Sequence, residues 1–114
     1  MIDIYRKGNV PSIPAKDFLG KYILKGKAPV PCYDLHEWAM WFEKTDRRVA
    51  YARHKDVVVS TVFLGLDHGF PGTPAPLLFE TMVFGGKYNG KCQRYATWDE
   101  ARRGHESVCK AVFQ

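Results

Sequence analysis

The sequence predicts a single α+β domain. An antiparallel sheet of about four strands carries a C-terminal helix, and another helix lies in the N-terminal half. Three observations predict it. Helix-start signals stand far apart, at Asp34 and Thr97. Between them lie three apolar runs of strand length, and an Asn-Gly turn signal joins the third to a fourth. The 114 residues suit one domain, and 46% apolar with 25% charged residues is ordinary globular composition.

Residues 1–33 hold four of the seven prolines and read as a basic, irregular N-terminal arm, so that the α+β domain proper is expected at 34–114. A turn of helix is expected near Pro14–Leu19 and an edge strand near Lys21–Lys25. The run Pro29-Val30-Pro31-Cys32 is not expected to continue a ladder, because proline lacks an N–H donor.

A helix is expected at 35–45. The Asp34 carboxylate can accept from the first-turn N–H groups and Glu37 can reach back to it. Leu35, Trp38, Ala39 and Phe42 then share a face at helical spacing, with Trp41 on the flank.

The strands come next. In RRVAYARH, Val49 and Tyr51 alternate with small or polar neighbours, as in a strand with one wet face. VVVSTVFLGL is apolar on both parities, which predicts a central strand covered on both faces. PLLFETMVF is similar apart from Glu80 and Thr81. A type I′ turn at Tyr88-Asn89-Gly90-Lys91 would pair Phe84 with Tyr95 and Val83 with Ala96, with KCQRYA as the fourth strand and Gly85-Gly86 as a bulge. Thr97 and Glu100 form a capping box for the last helix, whose stripe is Trp98, Ala101, His105, Val108 and Val112. Gly104 within it sacrifices about 1 kcal/mol of helix propensity relative to Ala, which suggests close approach to the sheet.

Charge and cysteine content narrow the function classes. The net charge is +5. Six basic and two acidic residues give residues 1–33 a net +4, against eleven and ten in the remainder. A basic arm suits a phosphate backbone or an acidic protein surface, and it also serves simply as a solvated segment. Cys32, Cys92 and Cys109 form no CxxC pair and read as reduced thiols. No apolar run approaches the ~20 residues that cross a bilayer. The N-terminus lacks a signal peptide's apolar stretch, so the expected location is the cytoplasm.

The catalytic candidates are Asp67, His68, Glu80 and His105. Strand-end carboxylate and imidazole groups facing a helix-borne histidine form an acid/base pair or hold an ion if they converge. No HExxH, HxH or paired-Asp spacing supports a metal, and no cofactor motif is present. The bland readings are a turn at Asp67-His68-Gly69, a core-edge His105 donating to a carbonyl, and Glu80 paired with Arg94 or Arg53. Ser60-Thr61 is no nucleophile elbow. The sequence therefore leans away from catalysis.

The stretch from Asp67 to Pro76 is longer than the two to five residues a hairpin needs. It reads as a proline-braced binding loop, with Asp67, His68, Phe70 and Pro71 as contact candidates, or as a tolerated insertion. Lys21, Lys25 and Lys27 are the binding candidates of the arm. Lys16 adds to that charge, and Tyr5 or Tyr22 offers a stacking surface.

The blocks STVFLGLDH (60–68), LLFETMVFGG (77–86) and RYATWDEARRGH (94–105), about a third of the chain, resemble a family of small, uncharacterised proteins encoded by bacteriophages and prophages. The resemblance implies an accessory binding protein in the bacterial host cytoplasm that engages a host or phage protein, modulating host machinery or defence. It carries over no catalytic residues. Two alternatives stand beside it: a small metal-dependent or acid/base hydrolase built on the Asp/His/Glu cluster, and a nucleic-acid-binding protein that uses the basic arm.

Overall fold

The computed structural model describes residues 20–69 and 75–114. In chain order it contains β1 (Tyr22–Lys25), β2 (Ala28–Pro31), α1 (Leu35–Lys44), β3 (Arg48–His54), β4 (Val57–Phe63), β5 (Phe79–Phe84), β6 (Cys92–Tyr95) and α2 (Trp98–Val112). Strands β3-β4-β5-β6 form one antiparallel sheet in sequence order, and β1 and β2 form a separate hairpin. The α+β expectation holds, with α2 packed on the four-stranded sheet.

Both helices begin where their caps place them. Asp34 accepts from the Glu37 N–H at 3.0 Å. Thr97 and Glu100 form the complete capping box of α2. Along α2, Ala101 and His105 are buried while Arg102, Arg103, Glu106 and Lys110 face water. A Cβ on Gly104 would overlap the Tyr95 ring, so the missing side chain is what brings helix and sheet together.

Helix α1 sits at the end of β4 and not over the sheet. The Trp38 indole N–H is shared between the carbonyls of Tyr22 and Gly65, both at 3.1 Å. Trp41 meets Phe63 edge-on, with ring centroids 5.7 Å apart. Leu35, assigned by spacing to the apolar face, is exposed, because Trp38, Trp41 and Phe42 make the contacts instead.

The core lies between α2 and one face of the sheet, where Phe63, Leu78, Phe79, Val49, Tyr95 and Ala101 are buried together. Alternation places Val59, Thr61 and Phe63 of β4, and Phe79, Thr81 and Val83 of β5, on this inner face. The expectation that β4 is covered on both faces fails. Val58, Ser60 and Val62 are only half-buried, and among the described residues no helix or second sheet lies across the outer face.

Other expectations are corrected by local geometry. Residues 29–31 do pair with β1, in the register Leu24↔Pro29 and Tyr22↔Pro31. Cys32 N donates to Lys21 O at 2.8 Å. Pro29 and Pro31 therefore occupy the alternate, non-hydrogen-bonded positions of the hairpin, where no N–H is required. The expected arm is thus folded from residue 20 onward, with Ile23 and Cys32 buried. The helical turn expected at Pro14–Leu19 lies outside the described residues.

The β5–β6 register is Phe79↔Tyr95 and Glu80↔Arg94, not Phe84↔Tyr95. The turn over Tyr88-Asn89-Gly90-Lys91 does close, with Lys91 N donating to Tyr88 O at 3.0 Å. Only Gly90 takes a positive φ there, so it is neither the type I′ turn expected nor the two-residue link of the hairpin. Asn89 Oδ1 instead accepts from Gly85 N at 2.7 Å, and Gly85 and Gly86 take φ of +88° and +74°. Those left-handed residues widen the loop, moving Tyr95 to the core face and Arg94 to the outer face. In β3, an irregularity between Arg48 and Ala50 turns Val49 into the core and leaves Tyr51 outside. The two do not share a face as their alternation suggested.

Candidate functional site

The residues singled out by sequence fall in three places. Asp67 and His68 lie at the start of the β4–β5 connection, whose strands are antiparallel neighbours. Asp67 Oδ1 accepts from Gly69 N at 2.8 Å and from Leu77 N at 3.0 Å. Its own N–H donates to Gly20 O at 3.0 Å. One carboxylate thereby pins both ends of the connection. The His68 ring donates from Nδ1 to Leu66 O at 2.9 Å, and its backbone N–H donates to Leu77 O at 3.0 Å. Phe70 and Pro71 lie outside the described residues.

Glu80 points to the outer face of β5, where its Oε2 accepts from Arg94 Nε at 2.9 Å. Its carboxylate is thus held by a guanidinium, one of the two partners expected.

His105 lies on the other side of the sheet. Its Nδ1 is 2.7 Å from Thr61 Oγ1, and Thr61 Oγ1 is 2.6 Å from Thr81 Oγ1. Tyr95 Oη donates to Thr81 at 3.1 Å, and His105 Nε2 is 3.5 Å from Cys109 Sγ. One proton arrangement satisfies every hydroxyl: Tyr95 donates to Thr81, Thr81 to Thr61, and Thr61 to Nδ1 of a neutral imidazole. The expected bond from His105 to a backbone carbonyl is replaced by this chain. Burial lowers the His105 pKa below its ordinary value, with Arg102 adding to the effect and Glu106 opposing it. Burial raises the Tyr95 phenol and the Cys109 thiol.

The four catalytic candidates therefore do not converge. Glu80 and His105 occupy opposite faces of the sheet, and Asp67 and His68 are exposed and bonded to backbone groups of Gly20, Leu66, Gly69 and Leu77. Among the described residues no three His, Cys, Asp or Glu side chains gather as a metal site requires. The arm lysines are partly engaged as well. Lys21 Nζ lies 5.3 Å from the centre of the Trp38 ring and Lys27 Nζ 5.8 Å from that of Trp98. Lys25, at the end of β1, is exposed.

What sequence reasoning missed is the outer face of the sheet. Tyr51 and Phe84 remain 48% and 51% exposed there. Arg48 and Arg53 stand opposite Val62 and Val58 and so share that face with Tyr51, which stands opposite Ser60. Arg48 Cζ lies 4.9 Å from the Tyr51 ring centre, and Arg53 Nε donates to Lys55 O at 3.1 Å. The β-branched run of β4 suggests burial on both sides, and nothing in the spacing of RRVAYARH marks the bulge that sets Arg48 and Tyr51 side by side.

Comparison with protein-family models, with curated proteins and with solved structures finds no match to this chain. Among the described residues no helix is long and apolar enough to cross a membrane.

Proposed function

We propose that this protein is a binding module and not a catalyst: a phage-type accessory factor that engages a host or phage macromolecule, protein or nucleic acid, through the outer face of its sheet. One observation carries the reading. Two large rings, Tyr51 and Phe84, are left half-exposed on a sheet face that no described element covers, beside guanidinium groups. Tyrosine and arginine are the side chains in which binding energy concentrates, and an aromatic ring contributes a large apolar area at little conformational cost. Val58, Val62 and Met82, half-buried between them, supply an apolar floor. Action in the bacterial cytoplasm, and the link to host machinery or defence, rest on the sequence resemblance and belong to the same proposal.

The test is affinity capture from bacterial lysate with the wild-type chain and with a Tyr51→Ser/Phe84→Ser variant. Both rings are half in water, so the variant should keep its circular dichroism and nearly its melting temperature while losing the captured partner. A partner held equally well by the variant would refute the assignment of this face.

A further inference from the structure

We infer that the ligand of the outer face is an unpaired strand of nucleic acid. This rests on that face being the docking surface. Along β3 the outward side chains run Arg48, Tyr51, Arg53, because the irregularity at Val49 puts Arg48 and Tyr51 on one side. The edge strand thus presents a cation, a ring and a cation in a row. Among the described residues neither guanidinium has an ion-pair partner. Glu80 is the only acidic residue in the four strands, and Arg94 already neutralises it at 2.9 Å. Asp46 accepts from Arg48 N at 3.0 Å and, with Glu43, borders Arg48 on the α1 side, but neither carboxylate forms an ion pair with the guanidinium. Both guanidiniums therefore remain open to a ligand on the face that carries the rings.

Phe84 supplies a second ring. It stands opposite Val58, two residues along β4 from Ser60, the partner of Tyr51. Two strand spacings and two residue rises put the Tyr51 and Phe84 backbones about 12 Å apart, on either side of a central strand. A single strand offers phosphates and unstacked bases in alternation, and exposed rings on a flat sheet take the faces of such bases while guanidinium groups take the phosphates. A duplex keeps its base faces inside the stack and offers this surface only backbone. An acidic protein would answer the two guanidiniums, but it has no matching alternation of charge and flat ring.

The experiment is fluorescence anisotropy of the full chain with a labelled oligothymidylate of about fifteen nucleotides, within the range of known single-strand sites. Wild type should bind in about 50 mM salt. Two phosphate contacts predict a slope of log affinity against log salt of roughly −1.4. Tyr51→Ser and Phe84→Ser should each weaken binding by roughly 5- to 150-fold, the effect of losing one stacked base. Arg48→Gln should take about 0.7 from the slope. Lys110→Gln, on the exposed side of α2, should change neither stacking nor affinity by more than twofold, and a duplex of the same length should compete poorly. Absence of binding at low salt overturns the inference, as does an affinity indifferent to both ring variants. If the oligonucleotide fails while a lysate protein is captured through Tyr51 and Phe84, nucleic acid falls and the docking surface stands. If capture also ignores the rings, both fall.

Discussion

Replacing Gly104 with alanine places a methyl group where the Tyr95 ring already is. In an ordinary exposed helix this substitution stabilises by about 1 kcal/mol. Here the added Cβ would overlap the phenol, so the ring must move. Overpacking of this kind costs about 1–3 kcal/mol. A displaced ring also loses its hydrogen bond to Thr81, now 3.1 Å long, for about 1 kcal/mol more. The balance is a net destabilisation of about 1–3 kcal/mol, or a Tm lower by roughly 5–20 °C. Thermal and urea unfolding followed by circular dichroism measure it. The decisive arm is a double-mutant cycle with Tyr95→Val. With the ring gone, Gly104→Ala should revert to stabilising, giving a coupling of about 2–4 kcal/mol. A Gly104→Ala protein as stable as wild type, or effects that simply add, would refute the account of why the glycine is there.

Two further outcomes follow from the structure. Burial holds the His105 pKa below its ordinary value. Below about pH 6.5 the unfolded chain takes up a proton that the folded imidazole refuses. This contribution to stability is complete above about pH 6.5 and declines as the pH falls toward the folded pKa, so the stability difference between wild type and His105→Gln should narrow between about pH 7 and 5 in urea titrations. A difference constant across that range would contradict the neutral imidazole. The groups around it do not cancel the effect: Thr61 and Thr81 carry no charge, Tyr95 is held neutral, and Arg102 and Glu106 act in opposite senses. Separately, Lys55 holds a φ of +55° in the β3–β4 turn. Lys55→Gly relieves about 1–2 kcal/mol of left-handed strain and returns part of it as unfolded-chain entropy. The net gain of about 0.5–1 kcal/mol should raise Tm by roughly 2–6 °C, and an unchanged or lower Tm would count against that strain.

How much of this was legible in the sequence depends on how local the cause was. Asp34 and the Thr97–Glu100 pair act within one turn, so both helix starts could be read directly. The close approach at Gly104 was legible as an anomaly, a helix breaker on an otherwise good stripe. What escaped was set by choices of a single residue. The Asn89 side chain holds the Gly85 N–H, and with Gly85 and Gly86 left-handed the loop widens and the β5–β6 register shifts. The irregularity at Val49 inverts the facing of everything after it in β3. Pro29 and Pro31 looked incompatible with a ladder until their two-residue spacing placed both at positions that need no donor. The loop candidates Asp67 and His68 were found as residues, but their roles as braces depend on contacts ten residues away. The outer face was invisible because a strand apolar on both parities reads the same whether or not anything covers it.

The hydroxyls of Thr61 and Thr81 stand directly opposite one another in the middle of the interior, and only one alignment of β4 with β5 lets them meet. A slip by two residues keeps both on the inner face but parts them among hydrocarbon, and a slip by one turns one strand's apolar set out to solvent. The pair therefore works as an alignment pin, penalising misthreaded hairpins far more than valines would. A Thr61→Val/Thr81→Val chain would keep the same shape in its core while losing its means of telling one ribbon register from the next.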